Sequence, residues 1–291
     1  MKYKILRYYG HITFLRFGLR ERIIRYFANP DNKIDYPFTV KFYNKIYKGN
    51  LNCYLDWNVF FYGAYEKSEL LFFKKLILKT EHPIVIDIGA NIGHHTLFFS
   101  NYSHLVYAFE PYDYVRENLN KKLIYNNINN VIVNNFGLSN SNESLKFYAP
   151  TLTNTGTGSF VKDHAVDNNY YFNLLDVKIG DEYFASQHLE KIDFIKIDVE
   201  GFESNVLNGL SKTLKKYRPI ISMEYELDSK NGFNNANITD ILPEGYMIYT
   251  LKNNISFFIF KIFNYKLIEF NINDFPNTII ICPLEKVYLL K

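Results

Sequence analysis

The sequence predicts an α/β protein: an open, doubly wound, mostly parallel sheet with helices on both faces, preceded by a helical and hairpin extension. Three observations predict it. Residues 84–95, IVIDIGANIGHH, join a β-branched apolar run to a glycine-rich turn and the start of a helix. From there to about residue 225, apolar runs of strand length alternate with helically spaced segments, the pattern of βα units. Acids fall in or at the ends of these runs, at Asp87, Glu110, Asp198 and Glu224. Ligands of open α/β sheets bind outside the carboxyl ends of the strands. The expected division is an extension over residues 1–80 and a sheet domain over 81–291.

Taken in order, residues 3–28 read as one or two helices, with Ile5, Tyr8, Ile12, Leu15, Leu19, Ile23, Ile24 and Phe27 near helical spacing. Seven basic residues lie between Lys2 and Arg25, opposed only by Glu21, whereas the whole chain carries a formal charge of +3. A basic amphipathic segment can pack on its own domain, contact a second copy in a homodimer, or lie on an anionic membrane surface. Packing or a dimer contact is the favoured expectation. Asn29-Pro30-Asp31-Asn32 ends the segment with turn chemistry. Residues 35–62, broken at Lys48-Gly49-Asn50, predict a hairpin or short strands, and Glu66 to Lys79 a helix. His82-Pro83 interrupts the chain before the first central strand.

The central strands are expected at 84–88, 105–109, 131–133, 194–197 and 220–225, with helices over about 92–101, around Val115 to Ile124, and over 200–216. Residues 144–149 and 151–161 read as an irregular insertion. Met247 to Leu251 and Thr278 to Ile281 can pair as a closing hairpin.

The glycine turn narrows the ligand. Gly89 and Gly93 permit positive φ and close backbone approach, and the helix that follows offers free N–H groups. A dinucleotide fingerprint, G-x-G-x-x-G, fails twice in either register: Asp87 and Ile92, or Asn91 and His94, stand where glycine is needed. Asp87 also opposes a pyrophosphate by like charge. A cationic ligand such as S-adenosylmethionine suits it better. Glu110 lies 23 positions after Asp87, placed to accept the two hydroxyls of a ribose, and Pro111 fixes the turn after it. Asp198 ends the fourth strand and faces the same crevice, with Glu200 at the start of the next helix and Glu224 and Glu226 on the same rim. His94 and His95 stand just beyond the turn, where a histidine can take a proton from a hydroxyl. Each is also explained as a helix-start histidine bonded to backbone or water. Spacing this loose neither selects nor excludes a Mg²⁺ on Asp198, Glu200 or Glu224.

Composition sets limits. The 291 residues are 47% hydrophobic and 22% charged, ordinary for a globular chain. The aromatic fraction of 18%, with abundant Asn, Lys and Ile, reads as coding bias rather than a binding surface. A net charge of +3 does not support nucleic-acid binding. The two cysteines lack metal spacing, so a reduced cytoplasmic protein, with or without peripheral membrane contact, is expected.

Four stretches resemble the FkbM-type S-adenosylmethionine-dependent methyltransferases: VIDIGANIGHHT at 85–96, FEPYDYVRENLNKKLIYNNINNV at 109–131, FIKIDVEGFESNVLNGL at 194–210, and RPIISMEYE at 218–226. The resemblance implies the class I methyltransferase fold, a Rossmann-like seven-stranded sheet with one antiparallel strand. It also implies methyl transfer to an oxygen of a sugar, glycan or related small molecule. By position, Asp87, Gly89, Asn91 and Gly93 would surround the methionine part of the cofactor, and Ala90, Thr96 and Pro111 would also be cofactor-binding. Glu110 would hold the ribose, Gly137 and Leu138 would lie near the adenine, and Asp198 and Glu200 would face the methyl group and acceptor. Asp198 is the first choice of base and His94 the second. The family often carries tyrosines where this chain has His94-His95, and KIGDEYF at 178–184 keeps only Asp181 of a Thr-Leu-Asp stretch. The alternatives are an NAD-dependent oxidoreductase, against which the failed glycine fingerprint counts, and a catalytically idle S-adenosylmethionine-binding module of a glycan-assembly complex.

Overall fold

Two short helices, Lys2–Gly10 (α1) and Phe17–Phe27 (α2), open the chain in the computed structural model, which describes residues 1–149, 158–161, 172–225, 238–271 and 277–291. Glu226 and most of the stretch expected as an insertion at 151–161 lie outside the described residues. Among the described residues, the basic segment touches its own chain along one side only, and Ile5, Tyr8, Ile23 and Phe27 of the expected apolar face are exposed. Leu6, Arg20 and Ile24 are buried, and a side chain at Gly10 would strike the Phe61 carbonyl, with 2.2 Å between atoms. Strands Pro37–Phe42 (β1) and Lys45–Asn50 (β2) form the expected hairpin.

A helix then follows that the sequence reading did not foresee, Tyr54–Tyr62 (α3). Residues 56 to 62 are all buried, so it has no polar stripe to betray its period. Lys67–Ile77 (α4) completes the extension. Its aromatic core, including Trp57, Phe61 and Phe73, is continuous with Phe99, Val85 and Ile280 of the sheet domain.

The sheet begins with Ile84–Ile88 (β3), every residue of it buried. His94–Phe99 (α5), Leu105–Phe109 (β4), Asp113–Tyr125 (α6) and Val131–Asn134 (β5) follow as alternating units. Gly137–Ser139 (β6), Glu143–Tyr148 (β7) and Phe172–Ile179 (β8) form a separate three-stranded sheet. The expected irregular stretch at 144–149 is therefore ordered. Leu145 and Phe147 turn inward in alternation with more exposed neighbours, a period-2 signal too short and polar to stand out.

Gly180–Ser186 (α7) leads to Phe194–Ile197 (β9). The single helix expected over 200–216 is two, Glu203–Gly209 (α8) and Ser211–Tyr217 (α9). Gly209 presses on β6 so closely that a Cβ would lie 1.8 Å from the Ser139 carbonyl oxygen. Asp181 then starts α9 afresh by accepting from the backbone N–H groups of Lys212 at 2.9 Å and Thr213 at 2.7 Å.

Ile220–Glu224 (β10), Ile238–Ile241 (α10), Tyr246–Phe257 (β11), Phe260–Glu269 (β12) and Thr278–Pro283 (β13) finish the chain, apart from a last short helical turn. The large sheet runs β12-β11-β13-β10-β9-β3-β4-β5. Seven of these strands make the expected class I arrangement, with β13 antiparallel to both neighbours, and the expected 247–251 and 278–281 pairing is present. The eighth, β12, folds back on β11 through a two-residue turn whose Phe258 has φ 51°. Chain order reverses at β3, between β4 and β9, and this is where such sheets open a crevice.

Candidate active site

The crevice at that switch point is a cleft of about 1130 Å³, its mouth included. One wall is the turn after β3. Gly89, at φ 78°, lies against the strand end opposite, and a Cβ there would sit 1.8 Å from the Asp198 carbonyl oxygen. No other residue fits this contact, so the glycine lets two strand ends close up beneath the cleft. Asn91, at φ 50°, turns the chain toward β4.

Glu110 reaches back to that turn. Its Oε2 accepts the Asn91 N–H at 2.8 Å and its Oε1 the Tyr112 N–H at 2.9 Å. Each oxygen retains a second lone pair for a hydroxyl. Burial pushes this carboxyl up to about 7, against the pull of the two N–H groups. Arg116 donates to the carbonyls of Glu110 and Pro111, both at 2.8 Å, and fixes the strand-end turn. Gly137 and Leu138 line the cleft beyond, beside Tyr112, Phe147 and Phe160. These rings form a chain of contacts, with centroids 5.3 Å apart for Tyr112–Phe147 and 5.1 Å for Phe147–Phe160. They offer an apolar wall for a planar base.

Of the residues expected around a cofactor, Gly89, Ala90, Asn91, Glu110, Pro111, Gly137 and Leu138 line the cleft. Asp87, Gly93 and Thr96 stand behind its wall. Thr96 Oγ1 donates to Asp87 Oδ2 at 2.5 Å, while Asp87 Oδ1 is buried with no hydrogen-bond partner. Burial raises the Asp87 carboxyl above its ordinary value. Gly93, at φ 81°, meets Leu119 of α6 and sets the packing of α5.

One rim of the cleft is acidic. Asp198, Glu200 and Glu224 each bring a carboxylate oxygen within 4.8 Å of the other two. Glu200 and Gly201 both have positive φ, 51° and 94°. Their turn is held by Ser159 Oγ, donating to the Glu200 carbonyl at 2.6 Å, and by Glu203 Oε1, accepting from Gly201 N–H at 3.2 Å and Val199 N–H at 3.3 Å. An oxygen-donor set of this kind suits a hard divalent cation. It also lies beside an ammonium of the protein itself.

That ammonium is Lys196, 3% exposed inside β9, donating to Asp198 Oδ2 at 2.8 Å. Burial works against its charge, but Asp198, Asp87, Glu66 and Glu69 together hold its pKa above the ordinary value. Glu66 and Glu69 come from the N-terminal extension and gather with His95 within 4.8 Å. Glu69 also accepts from Ser222 Oγ at 2.6 Å. The sequence reading assigned roles to none of Lys196, Glu66 and Glu69. A lysine within the buried run Phe-Ile-Lys-Ile was itself the signal, because buried lysines require partners.

His94 is placed differently from a free base. It is 1% exposed, its Nε2 accepts the Tyr65 N–H at 3.2 Å, and its ring packs 5.0 Å from Phe42. Burial, with the charges of Lys196 and Lys122, lowers its pKa to about 3. Its imidazole is thus neutral and held by the backbone between α3 and α4. Cys53 and Cys282 are buried and form no disulfide, and no described helix is long and apolar enough to cross a membrane.

A family model described as the methyltransferase FkbM domain matches residues 87–248. The hexuronic acid methyltransferase AglP of Haloferax volcanii is 28% identical over 168 residues, covering 56% of this chain and 63% of that protein. The match therefore spans less than two thirds of that relative. Methyltransferase 1 of Beauveria bassiana is 27% identical over 175 residues, covering 54% of this chain and 69% of that protein. A solved FkbM methyltransferase from Methylobacillus flagellatus aligns over 68% of this chain and 43% of that one, at 18% identity and a TM-score of 0.43.

Proposed function

We propose, from the premise that this chain belongs to the FkbM methyltransferase family, that it is an S-adenosylmethionine-dependent O-methyltransferase acting on a hydroxyl of a sugar, glycan or related small molecule. The observation that carries this reading is the cleft itself. Glu110, accepting from the Asn91 and Tyr112 N–H groups, and the Asp198–Glu200–Glu224 rim line one and the same cleft. The ring-lined wall beside Gly137 and Leu138 suits the adenine, Glu110 the ribose hydroxyls, and the turn at Gly89 to Asn91 the methionine part. The buried Asp87 oxygen without a partner adds negative potential beneath that turn, which favours a sulfonium and an ammonium over a phosphate. A sugar acceptor is supported by the hexuronic acid methyltransferase among the similar proteins.

When bound, the cofactor supplies an electrophilic methyl carbon on a sulfonium. The protein's part is to bring a hydroxyl into line and remove its proton. Much of the acceleration expected from such a site comes from holding the reactants in near-attack geometry. Asp198 takes the proton in this reading. Lys196 anchors one of its oxygens, and the side chain remains 30% exposed toward the cleft. Glu200 and Glu224 accept from neighbouring hydroxyls of the acceptor. His94, already accepting from Tyr65 N–H, has a positioning part. The same rim residues would hold a Mg²⁺, which would lower the pKa of a coordinated hydroxyl. The test is incubation with methyl-labelled S-adenosylmethionine and a panel of sugars, nucleotide-sugars and glycans, read by a mass shift of one methyl. Cofactor binding without transfer to any hydroxyl compound would overturn the O-methyl assignment.

A further inference from the structure

A second cavity, of about 680 Å³ with its mouth, adjoins the cleft and shares Tyr54, Tyr65 and Glu66 with it. It is built by the N-terminal extension, and its character is opposite to that of the acidic rim. Arg20 and Lys67 line it. Arg20 is 4% exposed, with its guanidinium carbon 5.7 Å from the Phe17 ring centre and 5.8 Å from that of Tyr62. One arm of the guanidinium donates to the Gly10 carbonyl, but the buried Nε–H has no partner. Lys67 Nζ has a long contact of 3.4 Å to the Tyr62 carbonyl.

Two cations side by side in a half-enclosed cavity, one with an unmet donor, are arranged for an anion. Burial, and then the charge of Arg20, holds the Lys67 ammonium below its ordinary value, a strain an anion would relieve. The acids nearby do not supply one. Glu21 is engaged by Arg25 at 3.0 Å. Burial, then Glu69 and Asp198, raise the Glu66 carboxyl, and whatever charge it carries is shared with Lys196 on the other side of the wall.

We propose that this cavity is an acceptor subsite for the anionic group of a charged sugar, a carboxylate first of all, seated on Arg20 and Lys67 while the sugar's hydroxyls face Asp198. The inference deepens the methyltransferase reading and rests on it for the direction of the sugar. Tyr54 and Tyr65 stand between the two cavities as rings against which a sugar can lie.

The test uses the full chain and calorimetry, with and without S-adenosylhomocysteine, on three probes: methyl glucuronide, methyl glucoside and glucose 6-phosphate. The glucuronide is expected to bind about 10-fold tighter than the glucoside, the scale of a hydrogen bond to a charged group. That preference is expected to fall to about 2-fold or less in Lys67→Gln, with circular dichroism verifying the fold, and to weaken in Arg20→Lys. Tighter binding of the phosphate than of the glucuronide, lost in the same variants, supports an anionic sugar and names phosphate as its group. Equal affinity for glucuronide and glucoside overturns the proposal, as does a preference that survives both variants, or no binding of any probe. Binding of S-adenosylmethionine is measured separately. Its failure would sink the methyltransferase reading while leaving the anion preference of the cavity to be judged on the sugar probes.

Discussion

Lys196 and Asp198 lie two residues apart, yet one is sealed in the sheet and the other faces the cleft, and the 2.8 Å hydrogen bond between them joins the core to the acidic rim. The ammonium is the shared partner of carboxylates from β3, from the strand end of β9 and from the extension. Removing it strands those charges in a poorly solvated site. Lys196→Met is expected to cost about 3–5 kcal/mol of stability, the range for breaking a buried ion pair. Denaturant unfolding measures it. A loss below about 1 kcal/mol would mean that the carboxylates are not electrostatically coupled through this residue.

Asp198→Asn keeps the shape of the rim and removes the proposed base. Turnover is expected to fall by about 10²- to 10⁴-fold with cofactor affinity retained. Full activity in this variant would remove Asp198 from the proton transfer.

Glu110→Gln is expected to weaken S-adenosylmethionine binding by about 10- to 100-fold, the value of hydrogen bonds to a charged acceptor. The wild-type carboxyl is pushed up to about 7 by burial, and the ionised form is the one that accepts ribose hydroxyls. Affinity should therefore rise as pH rises through about 7, and the pH dependence should flatten in Glu110→Gln. Isothermal titration from pH 6 to 8 reads both effects.

Glu203, which holds the turn beneath the rim, supplies a stability test. Burial raises its carboxyl from 4.5 to about 7 against the N–H groups of Gly201 and Val199. Between those values the folded chain holds a proton that the unfolded chain has released. Its contribution is thus complete below pH 4.5 and is lost as pH rises through about 7. His94 works the other way. Its pKa, lowered to about 3, gives stability above 6.5 that declines as the solution is acidified. Thermal melts of Glu203→Gln should show a shallower first slope, the rest coming from Glu110, which shifts over the same range, and should keep the second. An unchanged slope would place the proton elsewhere.

Chelation separates two accounts of the acidic rim. Lys196 already pairs with Asp198, and the cofactor brings positive charge of its own, so turnover should survive EDTA. A loss restored by added Mg²⁺ would instead assign Asp198, Glu200 and Glu224 to a metal.

The central strands were legible in the sequence because parallel strands buried on both faces read as unbroken β-branched runs. The bounds at 84–88, 105–109 and 194–197 match residue for residue. α3 was not legible, because it is buried on every side, and neither was β12, which is an edge strand set by a turn at Phe258. The Glu110-to-turn linkage could be anticipated from spacing along adjacent βα units. The approach of Glu66 and Glu69 to Lys196 could not, since more than a hundred residues separate them.

By itself, the sequence determined the family, the order of the central strands and the acids at their carboxyl ends, since each follows from local periodicity and short motifs. Only the tertiary structure decided which polar groups share one desolvated space. It put Asp87 behind the wall, closed His94 onto Tyr65, and surrounded Lys196 with carboxylates from three parts of the chain. It also built a cationic cavity from α2 and the start of α4. Charge in a protein acts through distance and burial, and neither is written in the spacing of residues along the chain.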